Sequence, residues 1–323
     1  MNTNSPSGNQ AARQVMTVRG WVDPAELGIT DAHNHIWIEP VPGVPPGFPR
    51  LDDQTAILAE LLDYRQAGGG SIVDCQPSGC GRNGHKLLEL SKASGVHVVA
   101  STGFHRRKYY PPNFWLFEAS AAQACDLFMT AIENNILEAS EVSESLRVGL
   151  IKIAGEAQLE DTPPALLEAA AEACRRTGTA IAIHTEQGSQ AERFLEYFQR
   201  RGVDPQRLVI CHIDKRPDTG LHRELAQAGA LLEYDTFYRP KYKPEMNVWP
   251  LLEELTKDGL ASNIALATDM AESELWSRLG NGPGLAGFMT IVRSRLKNMG
   301  IPLPTIDRLM GGNIADRLAR QPG

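Results

Sequence analysis

The sequence predicts an α/β fold, a single (β/α)8 TIM barrel, on three observations. Eight short runs of apolar or β-branched residues alternate with stretches of helical periodicity. The runs are nearly continuous in apolar character, as parallel strands covered on both faces are. No GxGxxG turn follows an early run, so an open doubly wound sheet lacks its phosphate-binding signature. Strand–helix–strand units are right-handed, and eight of them close most simply into a barrel. A chain of 323 residues is a size that one barrel can account for by itself.

The elements follow in order. Residues 1–16, opening MNTNSPSGNQAARQ, are polar and carry no apolar h-region. They are expected to form a flexible tail rather than a signal peptide, with one domain over 17–323. The expected strands are residues 29–35, 71–75, 96–101, 148–153, 179–184, 207–211, 230–235 and 263–268. Asp52 or Asp53 caps the helix DQTAILAELLDYRQAG, and the glycines at 68–70 end it. Pro163 and Pro164 open PPALLEAAAEACRRTG, which Gly178 closes. Three loops after strands are long: 39–50 with five prolines, 236–250 with basic and aromatic residues, and the Gly-rich 270–287. Long loops on a compact barrel usually build its site.

Composition excludes several classes. A formal charge of −7 leaves no basic footprint for nucleic acid. No apolar run approaches the ~18 residues of a membrane span. The cysteines, Cys75, Cys80, Cys125, Cys174 and Cys211, are odd in number and form no CxxC pair. Neither a disulfide framework nor a zinc knuckle is expected, and reduced, packed thiols fit a cytoplasmic protein.

The chemistry begins at DAHNHI. His33 and His35 stand two apart on the first strand, so both point to one face. Alone, such a pair is more often incidental than metal-binding. Four further residues change its meaning. Lys152 lies at the end of the fourth strand, His184 ends the fifth, His212 the sixth and Asp269 the eighth. All fall at the catalytic end of a barrel. Half of the chain's eight histidines share that address, which packing has no reason to prefer and metal ligation does. Lys152 is the odd member, because an ammonium is a poor ligand. Beside two dications its neutral amine is favoured, and that amine can add carbon dioxide to become an anionic, two-oxygen carbamate bridge. An unmodified lysine paired with Glu156 or Asp269 is the alternative.

Substrate contacts are sought in the loops. Arg239, Lys241 and Lys243 cluster beside Tyr238 and Tyr242. They read either as an anion clamp, with Lys243 foremost and Arg278 as a second partner, or as a solvated basic loop. His105 can donate to a leaving oxygen or simply pack. Tyr109 and Tyr110 either line the pocket or cover the barrel rim.

From about Trp21 to Leu318 the chain resembles the phosphotriesterase family of the amidohydrolase superfamily. The likeness is carried by DAHNHI, GRNGHKLLELSKASGVHVVASTGF, GLIKIAGE, TGTAIAIHTE, VICHID, LATDM and GGNIADRLA. The resemblance implies a binuclear centre. His33, His35 and Asp269 would hold a buried metal, His184 and His212 an exposed one, and carboxylated Lys152 would bridge them. Zinc is the usual metal, with cobalt, manganese or iron as alternatives. A bridging hydroxide would attack the substrate, with Asp269 accepting its proton. The implied substrate is a lactone or carboxylic ester, including sugar lactones carrying a phosphate. Hydrolysis of phosphoesters or amides at the same centre, or an inactive metal-bearing binding protein, are the alternatives. A homodimer is implied too. Two departures touch the substrate region. Phe104-His105-Arg106-Arg107 stands where relatives often carry an aromatic pair, and Glu272 stands where many carry arginine.

Overall fold

The computed structural model describes residues 12–45, 47–136, 138 and 145–322. Its first strands, β1 (Val15–Thr17) and β2 (Gly20–Val22), pair antiparallel. The remaining strands are β3 (Thr30–Asn34), β4 (Ser71–Asp74), β5 (His97–Val99), β6 (Ser101–Gly103), β7 (Leu150–Ala154), β8 (Ile181–His184), β9 (Leu208–Cys211), β10 (Leu231–Tyr234) and β11 (Ile264–Leu266). Strands β3-β4-β5 run parallel, as do β6 through β11 in order.

All eight expected strands are present. The third is divided at Ala100 because it changes neighbours there: β5 pairs with β4, and β6 with β7. The barrel closes between its first and last strands. The amide of Asp269 donates to the carbonyl of His33 at 2.9 Å, and that of Thr268 to Asp31 Oδ1 at 3.1 Å.

Helices α1 (Gln54–Gln66), α2 (Gly84–Ser94), α3 (Ala121–Glu133), α4 (Pro164–Thr177), α5 (Ala191–Gln199), α6 (Thr219–Gln227) and α7 (Val248–Lys257) alternate with the strands. Of the two candidate caps for α1, Asp53 accepts from the Ala56 amide at 3.0 Å, closing one of the helix's orphan donors.

Side chains divide by the period of two. Ile151, Ile210, Leu232 and Leu266 face the helices. Leu150, Val209, Leu231 and Ala265 fill the barrel, mostly with small residues, and Val15, Leu27, Ile314 and Leu318 close its floor. Each large apolar side chain buried this way contributes about 1.5–3 kcal/mol.

The floor corrects the expected tail. Val15 and Met16 are buried, and the Gln14 amide donates to Arg320 O at 2.8 Å. Residues 13–16 therefore belong to the folded body, because the open end of the barrel needs an apolar cover. Residues 1–11 lie outside the described residues.

Candidate metal centre

The upper layer of the barrel replaces apolar side chains with His33, Lys152 and Glu233, all buried. His33 Nδ1 meets Glu233 Oε2 at 2.9 Å, and His35 Nδ1 meets Gln76 Oε1 at 2.7 Å. Such acceptors keep the imidazole proton on Nδ1 and leave the Nε2 lone pair free. Both Nε2 atoms face Asp269 Oδ1, at 3.8 Å from His33 and 3.6 Å from His35. Burial drives the His33 pKa well below the ordinary histidine value, so the ring is neutral at neutral pH.

Asp31 sets this geometry. Its carboxylate accepts from Thr268 Oγ1 at 2.5 Å and from Asn34 Nδ2 at 2.9 Å. The histidine pair is thereby tied to the strand end that carries Asp269. Asp269 itself has φ 46°. Arg239 holds it there, donating to the carbonyls of Thr268, at 2.9 Å, and of Asp269, with a further contact to Asp269 Oδ2 at 3.3 Å. Burial alone would raise the Asp269 pKa, but Arg239 and the histidines hold the carboxyl well below the usual range.

His184 and His212 form the other half. Their ring centroids are 4.6 Å apart, and His212 lies 4.7 Å from His33. His212 Nδ1 is hydrogen-bonded to Asp235. Burial pushes His184 down to about 3, so it too is neutral, and its Nε2 is buried without a hydrogen-bond partner. Lys152 Nζ lies 3.1 Å from His33 Nε2. Gly103 makes room for that strand, since a Cβ there would stand 1.9 Å from the Lys152 carbonyl oxygen.

These residues fit a pair of divalent ions: four imidazoles, one ionised carboxylate, and a lysine beside His33. Lys152 departs from expectation in one respect. Burial pulls its ammonium pKa down, yet Cys75, Cys211, Glu233 and Asp269 push it above the ordinary lysine value. Both thiols and Glu233 are themselves held protonated by burial, which leaves Asp269 as the anion among the four. Among these four, Asp269 alone therefore opposes the pull of burial toward the neutral amine.

Several partners were not foreseen. Asp235 follows the seventh strand directly and obeys the same positional rule as the expected ligands. Burial and Asp235 raise the Glu233 pKa well above its usual value, while Asp235, despite its burial, stays ionised because His212 and Lys215 face it. Asp214, two residues after His212, accepts from the Thr236 amide at 2.9 Å and its hydroxyl at 2.7 Å. Burial and then Asp235 bring its pKa to about 7.

Above this floor is a cavity of about 610 Å³. His105, Tyr109 and Arg239 line it, and so do Arg106, Lys108, Lys215 and Lys241. The proline-rich loop supplies an apolar wall that includes Val44 and Phe48. His105 lies 5.5 Å from the His184 ring and 4.4 Å from Tyr109. Tyr110 is buried and accepts from the His105 amide at 2.9 Å, so it supports the rim.

Two expected contacts lie elsewhere. Lys243 is exposed at the turn's end, with φ 50°, and does not line the cavity. Arg278 pairs with Asp63 of α1 at 2.5 Å. Arg239 reaches the cavity, but its guanidinium is committed to the two carbonyls and to Glu272 at 2.9 Å.

Such a donor set, at the barrel end where substrate enters, places the protein among metal-dependent hydrolases of ester bonds. More narrowly, the chain belongs to the phosphotriesterase family, whose model matches residues 13–314. A phospho-furanose lactonase of Mycoplasmopsis synoviae is 28% identical over 272 residues, covering 78% of this chain and 75% of that protein. An N-acetyltaurine hydrolase of Salmo salar is 26% identical over 344 residues, covering 93% of this chain and 96% of its own. The crystal structure of the lactonase Lmo2620 from Listeria monocytogenes superposes with a TM-score of 0.86 at 23% identity, covering 94% of this chain and 98% of that one. That likeness establishes the barrel.

Proposed function

We propose that the chain hydrolyses a lactone or carboxylic ester carrying an anionic group, on two divalent metal ions. The observation that carries this reading is that His33, His35, His184, His212 and Asp269 line one cavity, with Lys152 buried beneath it 3.1 Å from His33 Nε2. When bound, two such ions supply a water deprotonated near neutral pH, its pKa lowered from about 16 to about 7, and polarise the ester carbonyl. His33, His35 and Asp269 would hold one ion, and His184 and His212 the other. Lys152, as a carbamate, would join them, because two cations beside it repel an ammonium and favour an anion. Zinc suits these ligands.

Asp269 accepts the proton of the attacking water. Its carboxyl is ionised at neutral pH, and Arg239 fixes its orientation. Gln76 and Glu233 fix the imidazoles. Lys108 and Lys241 take over the part first assigned to Lys243. Both line the cavity, with Lys108 over the Tyr109 ring at 4.9 Å and Lys241 over the Tyr242 ring at 5.1 Å. A lactone bearing a phosphate or carboxylate would meet them at the mouth. The name of the lactonase relative supports this choice. Amide hydrolysis is the second reading, favoured by the near full-length match to the N-acetyltaurine hydrolase.

The test combines metal analysis with proton release from lactones, esters, N-acyl amino sulfonates and phosphotriesters. Two metals per chain with turnover of anionic lactones, abolished by chelation, is the expected result. Two metals with no turnover of any member overturns it, and turnover of the amides alone selects the second reading. The lysine is tested by carbon-13 bicarbonate, with a carbamate resonance expected in wild type and lost in Lys152→Ala.

A further inference from the structure

We infer that Lys215 donates a hydrogen bond to the leaving oxygen of the substrate, beside Asp269, and so enables the site to expel poor leaving groups. The inference rests on the ester-hydrolase reading. Lys215 ends the short turn Ile213–Lys215 that follows His212. Its side chain is only 10% exposed and lines the cavity. Nζ stands 3.7 Å from Asp235 Oδ1 and 3.9 Å from Asp269 Oδ2. Both separations exceed the ~3.2 Å limit of an N–H···O bond. The carboxylates therefore hold the ammonium in place and leave its donors free. The Tyr242 ring, 5.4 Å away, closes the outer side. Arg239 approaches Asp269 more closely, but its donors are committed to backbone carbonyls and Glu272.

The reaction needs a group in this position. Water adds its oxygen to the acyl carbon, and the carbon–oxygen bond to the leaving alcohol breaks. The proton released from water passes by Asp269 to the departing oxygen. That oxygen must come within hydrogen-bond reach of Asp269. With 3.9 Å between Lys215 Nζ and Asp269 Oδ2, one oxygen can stand about 3 Å from both. Negative charge gathers on the oxygen as the bond breaks, and a buried cationic donor stabilises it most when the alcohol is weakly acidic. Asp235 and Asp269 already offset the charge of Lys215, so a permanently anionic substituent gains little there. A partial, transient charge gains most.

The test uses the metal-loaded protein with one acyl group on a series of phenols and alkyl alcohols, together with a simple lactone. In Lys215→Met, turnover of alkyl esters and lactone is expected to fall about 10²–10³-fold, while the 4-nitrophenyl ester changes little. The dependence of log kcat/KM on the alcohol's pKa steepens, and the metal content is unchanged. Lys215→Arg restores a shallow slope, and Lys215→Gln, which keeps a donor without charge, falls between. Losses equal across the series, or slopes parallel to wild type in the soluble Gln and Arg variants, overturn the role and leave a structural one. A wild type inert on every ester overturns the ester-hydrolase reading and this inference with it. An active wild type with unaltered slopes in the variants overturns Lys215 alone.

Discussion

Arg239→Met separates two roles for one residue. As a substrate clamp, Arg239 would touch only the ligand, and its loss would raise KM for anionic substrates without disturbing the protein. Its position predicts otherwise. The side chain is 7% exposed and ties Thr268 O, Asp269 O and Glu272 together. Removing the guanidinium strands two backbone acceptors, each worth about 1–3 kcal/mol when buried and unpaired. It also releases the left-handed Asp269, whose φ of 46° stores roughly 1–2 kcal/mol of its own. Some of the exposed carbonyl surface will find water, so the expected net loss is about 2–5 kcal/mol. For a chain of 323 residues that is a Tm drop of about 3–7 °C. Metal occupancy of the His33–His35–Asp269 half falls, and kcat falls with it, while KM moves little. Calorimetry, metal analysis and steady-state kinetics on the purified variant measure all three. A Tm within ~2 °C of wild type, full metal content and a KM raised only for anionic lactones refutes the positioning role and restores the clamp.

Other expectations follow from single contacts. Asp269→Asn keeps the fold but loses turnover by about 10²-fold or more; near wild-type rates with both metals bound exclude it as proton acceptor. Lys243→Ala leaves kinetics on anionic and neutral lactones alike, whereas Lys241→Ala raises KM for the anionic one about tenfold, the equivalent of ~1.4 kcal/mol. The opposite ranking would return the clamp to Lys243. Gln76→Leu frees the His35 ring from its Oε1 acceptor and lowers metal affinity about 10–100-fold, read by competition with a chelating dye. Cys75, Cys80 and Cys174 are buried with thiols pushed up to about 12 by burial. An aromatic disulfide reagent at pH 8 is therefore expected to label none of these three in the native protein and all of them once it is unfolded.

The candidate metal ligands were legible because they stand at or near strand ends, which can be found from apolar runs alone. The same rule points to Asp235, yet a lone acid after an apolar run reads as an ordinary turn residue. Glu233 was harder to see, since a carboxyl two residues inside a strand gains its meaning from His33 across the barrel. Loop contacts were the least legible. The composition of residues 236–250 places cations near the site, but only the backbone settles which ones face inward. Lys243 occupies a left-handed turn position outside the cavity, while Lys241 lines it. Arg278 found Asp63, 215 residues away in the chain, a pairing that no local pattern encodes. Val15 read as tail because three apolar residues carry too little periodicity to announce a floor.

The stitch between Asp31 and Thr268 has a consequence in time. Its two ends are 237 residues apart in the chain, and the first metal half draws His33 and His35 from one side of that seam and Asp269 from the other. During synthesis the histidines emerge early and wait for nearly the whole protein before their third partner exists. A nascent chain cannot assemble that half ahead of closure, so a loaded site certifies a completed barrel. Chains truncated before β11 are expected to bind no ion there, however well their earlier strands have formed, and metal uptake should mark the last step of folding rather than the first.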